Sequence, residues 1–166
     1  MASSTILIIV IIIVVAVVII GSVVFFAMIA NIGGEPWEET RNFETDVHIE
    51  EGGHFRYLLS DSWEDEMIMN FTVGLINGSN YDVYIMDAMQ YENAYGNQST
   101  GAFSALFSWQ DVANAMDFAV IEEPQGPYYL VVDNVEMSHV PGSAIPEGPI
   151  HVELELEITS RFDASW

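Results

Sequence analysis

Apolar positions fall into two regimes along the chain. Ile6 to Ile20 are Ile, Leu, Val or Ala throughout, and after Gly21-Ser22 the run resumes from Val23 to Ala30. At about 1.5 Å rise per residue, the stretch Thr5 to Ala30 predicts a helix of roughly 39 Å, enough to cross a hydrocarbon core of about 30 Å with tilt. Beyond Gly33, Gly34 and Pro36 the period becomes two, the pattern of half-buried strands. Val152, Leu154, Leu156 and Ile158 alternate with His151, Glu153, Glu155 and Glu157, and Met67, Met69, Phe71, Val73 and Leu75 form a second such face. That second strand runs into Asn77-Gly78, a turn signal, and Tyr81 to Asp87 returns, which predicts a β-hairpin. Further strands are expected around Thr45 to Glu50, His54 to Ser60, Ala102 to Trp109, Met116 to Ile121 and Tyr128 to Asp133, with one short helix over Ala88 to Tyr95.

The expected organisation is a transmembrane anchor helix over 1–31, a linker over 32–44 and an all-β ectodomain over 45–166, an antiparallel β-sandwich of jelly-roll-like character. The anchor is read as uncleaved, because a signal peptide has a basic n-region and a shorter apolar core. Only four residues precede it, and a short tail stays in the cytoplasm more easily than an acidic domain beginning at Glu35. The expected placement is a single-pass cell-membrane protein with its N-terminus cytoplasmic and its C-terminal domain outside. Membrane lipid is then the first expected partner.

Composition sharpens this picture. The chain carries 25 Asp and Glu against three Arg and no Lys, a formal charge of −22, so a nucleic-acid partner is excluded. With no Cys there is no disulfide framework, thiolate metal site or Cys nucleophile. An acidic domain of this kind repels itself at low ionic strength, and salt relieves it. The complete absence of Lys fits the surface chemistry of a salt-adapted, halophilic and archaeal source.

Candidate chemistry is sparse. Three glycosylation sequons begin at Asn70, Asn77 and Asn97, on a polar strand face, in a turn and in a loop, and all three are expected to face solvent. The acidic group Asp61, Glu64, Asp65 and Glu66 around Trp63 lacks the Gly and the twelfth-position Glu of an EF-hand loop and reads as a solvated loop. His48, His54, His139 and His151 show no metal-ligand spacing, so a zinc site would need the fold to bring them together, and surface or strand-edge positions are expected. Ser143 lies in a turn-rich connection without a nucleophile elbow. Trp63, Trp109, Tyr128 and Tyr129 are expected in the core, while Trp37, just outside the apolar run, suits a membrane-interface anchor. No catalytic residue, metal ligand or cofactor is assigned, and the chain is not expected to be an enzyme.

One resemblance adds to this. Gly126-Pro127-Tyr128-Tyr129-Leu130-Val131-Val132-Asp133-Asn134, followed by Pro146 to Leu154, resembles the C-terminal half of Golgi-dynamics-type (GOLD) β-sandwiches, with a Gly-x-Tyr-Tyr strand ending in Asp-Asn before a last alternating strand. The resemblance implies a sandwich and a binding module. In the eukaryotic members the anchor follows the sandwich, whereas here it comes first, so no transport-receptor function is implied. The expected function is a cell-surface, single-span membrane protein whose acidic sandwich is a non-catalytic interaction or accessory module, with protein partners or self-association through helix or sandwich. The alternatives are an archaeal pilin-like filament subunit with the apolar helix as filament core, and a small accessory subunit of a membrane enzyme complex. Against the filament stands the lack of a basic processing site before the apolar run.

Overall fold

A computed structural model describes residues 36–61, 63–96, 103–137 and 140–162. The apolar run expected to form the anchor, together with Asn97 and His139, lies outside the described residues. Among the described residues no helix is long and apolar enough to cross a membrane. The elements are β1 (Trp37–Ile49), β2 (His54–Ser60), β3 (Glu66–Asn77), β4 (Tyr81–Asp87), α1 (Ala88–Tyr95), β5 (Phe107–Val112), β6 (Asn114–Glu122), β7 (Tyr128–Asp133) and β8 (Ile150–Phe162). They form two four-stranded antiparallel sheets, β1-β8-β3-β6 and β2-β7-β4-β5. This strand order is that of an eight-stranded jelly roll, so the expected antiparallel sandwich is present.

The alternating strands build the first sheet. Val152, Leu154, Leu156 and Ile158 of β8 are buried against Met67, Met69, Phe71 and Val73 of β3, and they meet Leu59, Val83, Ile85, Leu130 and Val132 of the second sheet in one continuous core. Removing one such aliphatic side chain costs about 2–5 kcal/mol. The second sheet is built differently. Tyr81 to Met86 are all buried, as are Leu130 to Asp133, so both faces of β4 and β7 are covered. The cover on the outer face is α1 with Phe103 and Ala105, whose Tyr91, Ala94 and Tyr95 pack on Tyr84, Met86 and Val131. Helix α1 starts where the sequence places it because Asp87 caps it. The Asp87 carboxylate accepts from the Gln90 amide at 2.8 Å, and the Gln90 side chain accepts in return from the Asp87 amide at 3.1 Å.

Three expectations are corrected. β3 and β4 are not a hairpin: β3 pairs with β6 and β8, whereas β4 pairs with β5 and β7. The turn after Asn77 carries the chain from one sheet to the other, as the apolar run of β4 requires, since among the described residues only the second sheet is covered on both faces. Gly78 serves this crossing: its φ is +118°, and a Cβ there would lie 2.8 Å from the Pro149 carbonyl oxygen. The linker ends earlier than expected, since Trp37 to Glu44 already belong to β1, paired in register with Phe162 to Glu155 of β8. Trp63 is not core but 71% exposed.

Candidate functional site

The two sheets present outer faces of opposite character. That of the second sheet is closed by α1 and encloses a polar cluster. Asp82 on β4 and Asp133 on β7 are register partners, and Asp133 is also opposite His54 on β2, so one row of three strands brings all three beneath the helix. Asp82, 1% exposed, accepts four hydrogen bonds: from the Asp111 and Ala144 amides at 2.8 and 2.9 Å, the Tyr84 hydroxyl at 2.7 Å and the Ser143 hydroxyl at 2.6 Å. Both of its oxygens are thereby engaged, and the carboxylate ties β4 to β5 and to the loop before β8. Asp111 takes this position in the left-handed region, φ 53°, at a bulge where the β4–β5 register shifts between Tyr81 and Val83.

Asp133 is the less contented partner. Its Oδ1 accepts from the Val135 amide at 3.1 Å, while Oδ2, buried, has no hydrogen-bond partner among the described residues. Burial pushes its pKa up to about 7, the Asp82 charge adds to that, and the nearby Tyr95 hydroxyl, short of hydrogen-bond geometry, and the Val135 amide oppose it. The Tyr95 and Tyr84 hydroxyls are pushed well above their ordinary range by burial, with the carboxylates adding to it. His54 is bonded at 2.8 Å to the Tyr91 hydroxyl and lies against Tyr95, and burial, then Arg56, hold its pKa low. Arg56 in turn caps the rings of Tyr91 and Tyr129 at 4.7 and 5.0 Å. These groups pin the helix layer to the sheet.

Among the described residues, no element covers the outer face of the first sheet. A trough of about 940 Å³ crosses it over Asn42, Glu44, Asn70, Met116, Phe118 and Glu155. One side is apolar, with Met116 76% and Phe118 55% exposed on β6. The other is acidic, and the register sets like charges directly opposite each other, Glu44 against Glu155 and Asp46 against Glu153. Carboxylate oxygens of Glu44, Glu153 and Glu155 lie within 4.8 Å of one another. Such pairs destabilise the sheet unless screened. The unfolding temperature is therefore expected to keep rising with salt beyond about 0.5 M, where the Debye length is only a few Å. A thermal scan flat between about 0.1 and 2 M salt would contradict this. Relief is local at the far end of the sheet, where Arg161 donates to Glu38 and Glu66, both at 2.8 Å.

The residues singled out from sequence are dispersed across this structure. Asn70 is exposed on the trough floor, donating to Glu157 at 3.1 Å, and Asn77 is exposed at the end of β3. Trp37 opens β1 on the sheet edge, stacked on Phe162 with ring centroids 6.4 Å apart. Of the expected acidic loop, Glu64 is buried and accepts from the Ser60 hydroxyl at 2.7 Å. Trp109 and Tyr128 pack against the core, and Tyr129 against the helix layer. The Asp82–Asp133 row is not among these residues. Its signal is the unbroken apolar run on either side of each Asp, which marks strands covered on both faces.

No protein-family model and no curated protein sequence matches the chain. Among solved structures it is similar to a chain from the disulfide-linked pili of Bacillus endospore appendages, at 10% identity and TM-score 0.46, covering 79% of this chain and 94% of that one. It is also similar to PliG of Aeromonas hydrophila, a periplasmic inhibitor of g-type lysozyme, at 12% identity and TM-score 0.39, covering 73% and 87%. Neither is a Golgi-dynamics-type domain, and what stands of that resemblance is the antiparallel β-sandwich.

Proposed function

We propose that this chain is a non-catalytic interaction module displayed at the cell surface, and that it docks a protein partner on the open face of its first sheet. One observation supports this above the rest. The sandwich covers the outer face of its second sheet with a helix, yet leaves Met116 and Phe118 exposed beside an acidic half on the first. Exposed aromatic and Met side chains next to a charged rim are the makings of an interface. The partner that fits offers an apolar centre to Met116 and Phe118 and basic groups to Glu44, Glu155 and Glu157, in keeping with a net charge of −22.

This reading discriminates between the sequons. A glycan on Asn70 would fill the trough, so Asn70 is expected to remain unmodified, whereas Asn77 at the sheet end is compatible with a glycan. Trp37 as an interface anchor belongs to the same proposal, since it begins the domain just after the apolar run. The experiment is to extract the full chain from its own membranes in mild detergent at high salt and weigh the native particle by size separation and mass spectrometry. A particle holding another protein at fixed stoichiometry is expected. A lone chain would contradict the proposal, and a large homopolymer seen as fibres would replace it with the filament-subunit alternative.

A further inference from the structure

Scattered in sequence, two of the histidines become neighbours in the fold. His48 of β1 and His151 of β8 are direct cross-strand partners on the outer face of the first sheet. Their rings meet edge to face with centroids 6.3 Å apart, and Glu50 places a carboxylate oxygen 3.5 Å from His48 Nε2. We propose that His48, His151 and Glu50 bind a divalent cation of the zinc class. The backbone places the three residues side by side. His48 is followed by Ile49 and His151 is flanked by Ile150 and Val152, all buried, so a slip of register would expose aliphatic side chains. Glu50 has its carbonyl fixed by the Gly53 amide at 2.9 Å and the Asn134 side chain at 3.2 Å, while its carboxylate is left in solvent.

The donor set selects the ion. Two imidazoles with one carboxylate suit Zn²⁺, Cu²⁺ or Ni²⁺, whereas Ca²⁺ and Mg²⁺ take oxygen alone. With metal–nitrogen distances of about 2.0–2.1 Å, a tetrahedral ion brings two imidazole centroids to about 5 Å. The proposal requires the exposed His48 ring and the half-buried His151 ring to turn about their side-chain bonds to close that gap. The next two rows of the sheet hold Asp46, Glu153, Glu44 and Glu155, whose field concentrates cations at this end. Three protein donors leave one tetrahedral position for water or for a donor from a partner.

The test is calorimetric titration of the full chain in detergent with ZnCl₂ as the only transition metal, in the presence of excess Mg²⁺ to occupy carboxylates. One Zn²⁺ per chain is expected. His48→Asn and His151→Asn should each weaken it by more than about tenfold, because even losing the group behind a ligand costs that much. Glu50→Gln should weaken it less. Zinc that Mg²⁺ displaces, or that both histidine variants bind unchanged, would overturn the proposal in favour of carboxylates alone. A second readout is independent of the variants: the spectrum of Cu²⁺ bound to the unmodified chain should show coupling to two nitrogens, and an oxygen-only spectrum would overturn the site.

Discussion

Asp82→Ala is expected to lower the unfolding temperature of the sandwich by about 10 °C or more, a loss of about 3–5 kcal/mol. The substitution leaves two backbone amides, of Asp111 and Ala144, and two hydroxyls, of Tyr84 and Ser143, without the acceptor they share. Each buried donor so stranded costs about 1–3 kcal/mol, less where water enters. Asp82→Asn separates charge from hydrogen bonding. Its Oδ1 still serves the two amides, and both hydroxyls can turn to accept from its Nδ2, so its cost should be about 1–2 kcal/mol. The check is thermal and urea unfolding of the full chain followed by tryptophan fluorescence at constant high salt. An Asp82→Ala protein melting with the unmodified chain would mean that the carboxylate does not hold the β4–β5 bulge and the loop before β8.

Asp133 acts in the opposite sense. Its carboxyl titrates near 7 in the fold, against about 3.8 in the unfolded chain, because burial and the facing Asp82 charge disfavour ionisation. The folded state therefore keeps a proton that the unfolded state has already released. The Asp133 contribution is full below about pH 4, falls as pH rises towards 7, and levels off above it, with a loss of about 4 kcal/mol. Of the groups facing Asp133, Tyr84 and Tyr95 are pushed to higher pKa and add no slope here, whereas His54, its pKa lowered by burial and then by Arg56, adds a rise in stability with pH up to about 6.5 that the Asp133→Asn protein retains. Asp133→Asn should abolish the decline, matching the unmodified chain at pH 4 and exceeding it at pH 8. Unfolding free energy measured across pH 4–8 at fixed salt decides this, and parallel profiles for the two proteins would refute it.

The chain's own pattern reveals its sheets better than its site. β8 is legible because aliphatic and polar residues alternate from Ile150 to Ile158, β3 because Met67, Met69, Phe71, Val73 and Leu75 recur at every second position, and α1 because Asp87 caps it and Gln90 in its first turn completes the capping box. The N-terminal half of β1 is not legible. Trp37 to Asn42 are all exposed on a sheet edge, and pairing with β8 makes them a strand, not any periodicity of their own. The supposed hairpin at Asn77-Gly78 fails for a related reason, since a turn signal fixes a change of direction but not which sheet receives the next strand. The row of buried Asp82 and Asp133 with half-buried His54 and the pair of His48 and His151 both arise from register between strands far apart in sequence. Only the assembled sheets bring those residues together.

Docking on the open face of the first sheet is tested most directly by methionine oxidation. Met116 lies in the trough and is 76% exposed, while Met89 on α1, on the far side of the sandwich, is 74% exposed and serves as the internal reference. Mild peroxide treatment of native membranes and of the purified chain, with both sulfoxides quantified by mass spectrometry, compares the two sites under each condition. Met116 is expected to oxidise far more slowly relative to Met89 in the native membrane than in the purified chain, because a partner covers it. An unchanged ratio of the two would contradict docking on this face.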